Sequence, residues 1–201
     1  MRYAGDEPEV RAGLVSPELA AEHPGLWLAW TELAAAPGVT PPDLRERLRG
    51  MADRIRGADA IAMPAREIPH VHRVFFRHVG LDPDVVRPPA EAILLRRMQQ
   101  GGLRPQGLIP DALTIATLET GVGVWAFDAA ALVGALGLRS DGGRLVIGDE
   151  QGPVAVLFRE PGERAAVSKR TRRIALAAVA VPGVPDLFVH EALWVAWDIL
   201  A

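Results

Sequence analysis

Apolar residues recur at helical spacing over several stretches of the chain. In 43–57, DLRERLRGMADRIRG, Leu44, Leu48, Met51 and Ile55 share one face while arginines and acids cover the rest. Thr40 is the expected N-cap, with prolines at the first helical positions. A second block, HVHRVFFRHVG, ends at Gly80, and after LDPDVVRPP a third, AEAILLRRMQQGG, begins, so the two form a helical hairpin. In IPDALTIATLETG, Ile109, Ala112, Ile115 and Ala116 face inward, flanked by Leu113 and Leu118, and Gly121 stops the helix. VPDLFVHEALWVAWDIL reads as a closing amphipathic helix.

Other segments carry a strand pattern. LWLAWTEL is a short apolar run that fits a strand or a helix, and strand is favoured. From Leu136 onward, LGLRS, RLVIGDE, VAVLFRE and RIALAAVAV are β-favouring segments divided by DGG, QGP and PGE turns, as in an antiparallel sheet. Asp128 is placed to cap one short turn. Helices come first and strands mostly later. The expected class is therefore α+β: a single domain with a helical hairpin region, then a mostly antiparallel sheet and a C-terminal helix.

Composition narrows the functional classes. A chain of 201 residues, 49% apolar, suits one well-buried domain. It has no cysteine, which removes disulfides, thiolate catalysis and cysteine-ligated zinc, and which fits a reducing compartment. The start, MRYAGDEPEV, lacks an apolar signal core, and no apolar run approaches the roughly 20 residues that span a bilayer, so a cytoplasmic protein without a membrane partner is expected. The net charge of −3 argues against nonspecific coating of nucleic acid and against a DNA partner. No phosphate loop, dinucleotide fingerprint or G-x-S-x-G is present, and no cofactor is expected. His70, His72 and His78 invite a metal reading, but histidines two apart on a helix point to different sides, so no metal is expected.

The most informative stretch is Asp111 to Asp128, DALTIATLETGVGVWAFD, in which an amphipathic helix runs into a glycine-broken turn and an aromatic-Asp end. Glu119, Gly121, Ala126, Phe127 and Asp128 match the motif E-x-G-x-P-x-H-A-F-D. The chain thereby resembles the tRNA-editing (B3/B4) domain of the phenylalanyl-tRNA synthetase β subunit. It is closer still to the E-T-G-x-x-x-x-A-[YF]-D form of that domain's free-standing bacterial relatives. A second string supports the resemblance, carried by Arg73, Phe76, Arg77, Gly80, Pro83, Arg87, Pro88, Glu91, Ala92 and Arg96. A third, Glu163-Arg164-Ala165-Ala166-Val167, is similar to the E-x-S-x-V pattern that supplies a pocket glutamate, with Ala165 at the hydroxyl position. The likeness covers roughly residues 65 to 200. Two positions depart from the family: Trp125 stands where the synthetase has histidine, and Thr114 where it has asparagine.

The resemblance implies binding of tRNA or its aminoacylated 3′ end, and hydrolysis of mischarged aminoacyl-tRNA in trans. Such an activity needs no covalent nucleophile, because backbone and polar groups position a water against the ester. Thr114, Glu163 and the backbone from Gly121 to Gly123 are the groups expected in the pocket. Glu119, at a helix C-terminus where the macrodipole disfavours a carboxylate, either hydrogen-bonds the Gly121 to Trp125 backbone or takes part in chemistry. Trp125 either plugs the pocket, adding roughly 200 Å² of apolar surface, or forms a stacking wall for an aromatic side chain or a base. Lys169, Arg170, Arg172 and Arg173 precede a strand and would grip a tRNA backbone; the alternative is a charged, solvated strand edge. The competing function is a non-catalytic protein that uses the same pocket for a small aromatic or amino-acid-like ligand, or for a partner protein.

Overall fold

The computed structural model describes residues 7–55 and 57–201. The first six residues, inside the segment examined for a signal core, and Arg56, inside the predicted arginine-rich helix, lie outside the described residues.

The fold is α+β with two four-stranded sheets. Two short strands, β1 (Arg11–Ala12) and β2 (Leu14–Val15), lead into α1 (Pro17–Glu22), which Ser16 caps. LWLAWTEL is indeed a strand, β3 (Trp27–Ala34). The arginine-rich helix is split into α2 (Pro42–Arg54) and a short α3 (Gly57–Ala62), and α2 buries Leu44, Leu48 and Met51 against Ile115. Thr40 is not its N-cap. Pro41 takes that position without a side-chain bond, while the Thr40 hydroxyl donates to Asp111 at 2.5 Å.

The helical hairpin is α4 (Glu67–His78) and α5 (Pro89–Gln100), with Gly101 in the left-handed conformation ending α5. Buried Arg73 on α4 ties the two helices, donating to Glu91 on α5 at 2.9 Å and to Asp84 in the connection at 2.6 Å. Much of the second sequence string thus builds scaffold, with Phe76 fully buried beneath it. Next comes α6 (Leu108–Thr120), which buries Ile109, Ala112, Ile115 and Ala116 and ends at left-handed Gly121, as its periodicity requires.

The aromatic-Asp end that follows is a strand, β4 (Val124–Asp128), and Asp128 caps a single 3-10 turn by accepting from Ala130. Then come β5 (Gly137–Asp141), β6 (Arg144–Asp149) and β7 (Gly152–Val156), an antiparallel meander joined at one edge by parallel β2. The last strand, β8 (Arg173–Ala180), does not extend that meander. It pairs antiparallel with β3 on one side and β4 on the other, giving the order β1-β3-β8-β4. A strand covered on both faces should be continuously apolar, and every β8 residue from Ile174 to Ala180 is buried. The predicted closing helix, α7 (Asp186–Leu200), packs across β8 and α6. One hydrophobic cluster joins both sheets, from Leu28 and Leu176 to Leu138 and Ile147. Among the described residues no helix is long and apolar enough to cross a membrane.

Candidate functional site

A cleft of about 900 Å³ opens between α5, α6, β4 and two loops, Phe158–Pro161 and Ala166–Lys169. Each wall has a local cause. Helices α5 and α6 run antiparallel, so the start of α5 meets the turn after α6. A Cβ built on Gly123 would come within 2.8 Å of Pro89 Cγ; only a glycine lets these backbones approach without a shift. Gly121 is required for a different reason, its positive φ of 79° at the helix end.

At the opposite end, the Asp111 carboxylate organises the rim. It accepts from the Thr40 hydroxyl and from the Gln106 and Gly107 amides, and the Leu108 amide donates to Gly38, so the 37–40 loop is fastened to the start of α6. The third wall is β4. As the outermost strand of its sheet it pairs only with β8, apart from one bridge between Phe127 and Ala166. Backbone groups on its outer edge therefore face the cleft as peptide donors and acceptors.

Trp125 and Phe158 form the aromatic lining. The Trp125 indole donates to the Arg159 carbonyl at 2.9 Å, which fixes the ring against the loop beside it, and its centroid stands 6.0 Å from that of Phe158. Trp125 lines the cleft while only 7% exposed. Phe158 has a φ of 63°, a left-handed backbone that costs a side-chain-bearing residue about 1–2 kcal/mol. Packing against Phe76 at 4.5 Å, with His72 and Phe75 farther off, holds it there. His72 itself is buried and donates Nδ1–H to the Ile68 carbonyl at 2.9 Å; burial pushes its pKa down, so the ring stays neutral. His78 stacks near His23 instead, with ring centroids 5.3 Å apart.

The charge lining was only partly visible in the sequence. Arg87, Arg96, Arg159 and Lys169 line the cleft, and Glu160 is the one carboxylate among the described lining residues. Arg87 is engaged with Asp84 at 3.0 Å. The side chains of Arg96, Arg159 and Lys169 make no hydrogen bond or ion pair among the described residues.

The expected site residues separate into two groups. Thr114, Gly123, Trp125 and Lys169 are brought together in the cleft, and Gly121 lies just behind it. Glu119 does not brace the turn. Its carboxylate accepts from Arg47 at 2.9 Å on the outer surface, and neighbouring Thr120 does the bracing, accepting from the Val122 amide at 3.1 Å and donating to the Ala116 carbonyl at 2.8 Å. Glu163 is exposed, opens a 3-10 turn outside the cleft and does not pair with Arg164. The structural member of that segment is Arg164, which forks onto buried Asp149 at 2.7 and 3.0 Å. Burial alone would raise the Asp149 pKa, but Arg164 and the Val133 and Gln151 amides outweigh it and hold the carboxyl at about 2. The clamp positions the 166–169 wall. Of the basic cluster, Arg173 pairs with Glu32, Arg172 donates to the Lys169 and Thr171 carbonyls, and Arg170 is exposed away from the cleft lining.

Arg96 and Arg159 were the omissions. Arg96 belonged to the second sequence string, but helical spacing could not show that its face borders a cavity. Among the described residues, no three ligand-type side chains converge to hold a metal. No protein-family model matches the chain, and no curated protein matches it.

Proposed function

We propose that the chain is an RNA-binding protein that takes the aminoacylated 3′ end of a tRNA into this cleft. The supporting observation is the company of three unpaired cations and an aromatic pair in one cavity, within a chain of net charge −3. Positive charge facing a cavity suits a phosphodiester, and an aromatic wall suits a base or an aromatic side chain. Thr114 offers a hydroxyl between these regions, and the outer edge of β4 offers backbone amides to an ester carbonyl.

On this reading an ester would be hydrolysed by water positioned on backbone groups or on Glu160, since neither Glu119 nor Glu163 reaches the cleft. That same observation favours the second reading, in which the cleft binds an aminoacyl-like ligand without cleaving it. The two divide on one experiment. Protein is incubated with tRNAs charged with tyrosine, phenylalanine and other amino acids, alongside a no-protein control and a Trp125→Ala variant. Selective ester loss that the variant abolishes supports hydrolysis; uniform background loss, with tRNA still retained on a filter, supports binding alone. Absence of both loss and retention overturns the proposal.

A further inference from the structure

Resting on that reading, we propose that the cleft has a separate anion subsite at its Arg96–Lys169 end, so its ligand is a single RNA strand carrying at least two phosphates. The cleft has two chemically distinct ends. Pro89 and Gly123 meet at one end, beside Trp125, whose indole is bonded to the Arg159 carbonyl. Arg96 lies seven residues farther along α5, roughly 10 Å at helical rise. It sits there among Gln106, Thr114 and a small side pocket.

Lys169 belongs to the Arg96 end. Thr171 donates to Asp128 at the far end of β4, and the Ala35 amide donates to the Arg172 carbonyl. The 37–38 loop then bonds across to the start of α6 through Gly38 and Leu108. Arg159 and the aromatic pair thus mark one end of the cavity, and Arg96 with Lys169 marks the other.

The charge at the second end is not already spent. Asp111 borders the same side pocket, but its two oxygens are taken by Thr40, Gln106 and Gly107. Arg104 adds a further cation at that pocket. An uncharged amino-acid side chain would gain nothing there, and a mononucleotide stacked on Trp125 would leave it empty. A strand whose last base stacks on Trp125 and Phe158 brings its preceding phosphates to Arg96 and Lys169.

The test titrates the full chain with adenosine 5′-monophosphate, with the 5′-phosphorylated trinucleotide CpCpA and with a hexaglutamate peptide, by calorimetry at several salt concentrations. The trinucleotide should bind at least about tenfold more tightly than the mononucleotide, the factor expected for one charge-assisted contact. Arg96→Ala should remove that gain, leave mononucleotide affinity unchanged and flatten the salt slope by about 0.7, the value for one single-strand phosphate. Arg96→Lys should restore part of it. Equal affinity for both nucleotides, or equal weakening of both by Arg96→Ala, overturns the second subsite while leaving the RNA reading intact. Failure of both nucleotides to bind overturns both readings, and hexaglutamate matching the trinucleotide replaces RNA by an acidic protein segment.

Discussion

Two pairs of arginines in this chain differ in a way that the sequence does not show. Arg73 and Arg164 are locked: one joins Glu91 and Asp84 beneath the helical hairpin, the other forks onto Asp149 behind the 3-10 turn. Arg96 and Arg159 line the cleft with no partner among the described residues. The first pair holds the walls in place, and the second leaves its donors to whatever fills the space between them. A guanidinium that has already met its carboxylate contributes little to a visiting anion, so within the cleft lining Arg96 and Arg159 are the arginines open to a ligand.

Removing a locked arginine should have the largest effect. Arg73→Ala leaves Glu91 buried beside an empty site and should lower the free energy of unfolding by about 3–5 kcal/mol, read from denaturant melts. A loss within ordinary surface scatter would break the comparison.

Asp149→Asn should follow, at about 2 kcal/mol near neutral pH, because the carboxyl is held at about 2 against an ordinary 3.8. Since its folded pKa is depressed, this stabilisation is complete above about pH 5 and is lost as pH falls through 2. Melting temperatures between pH 2 and 5 should therefore fall less steeply in the variant. Burial pushes the Glu91 carboxyl the other way, above its ordinary value and against the pull of Arg73 and Arg87. Its contribution is present below the ordinary glutamate value and is lost as pH rises from there through the raised folded value, above the window in which Asp149 acts.

A smaller effect is expected at Glu119→Ala, since its partner Arg47 is at the surface: about 0.5 kcal/mol or less, with tRNA retention unchanged. A loss of retention would return Glu119 to the site. Last in stability comes the double variant Arg159→Ala with Lys169→Ala, expected to melt like the parent while weakening tRNA retention by about tenfold.

How far the fold was legible follows the reach of each signal. α6 and α7 declare themselves because apolar spacing and a stop residue lie within a single helix. β4 did not, because VWAFD is too short to show alternation, and its strand character comes from pairing with β8, some fifty positions on in the chain. The same distance hid the departure of β8 from the meander, for strand runs do not name their neighbours. Thr40 looked like a cap from local chemistry, yet a carboxylate 71 residues away claimed its hydroxyl. In the candidate site, Trp125 and Thr114 were found through motif positions. Glu163 stood out through its match to the E-x-S-x-V pattern, whereas the partner of Arg164, Asp149, lies on β6 and leaves no local signal.

Lys169 has a consequence for how the cleft can be approached at the bench. It is the only lysine in the chain, so its ε-amine and the α-amine of the N-terminus are the only primary amines in this sequence. An unlabelled acylating reagent applied near neutral pH blocks the more acidic α-amine first, and an amine-reactive dye added at higher pH then reports on the cavity mouth alone. A bound RNA strand whose phosphates cover that amine would slow its labelling, and the change would fall on a single peptide known beforehand.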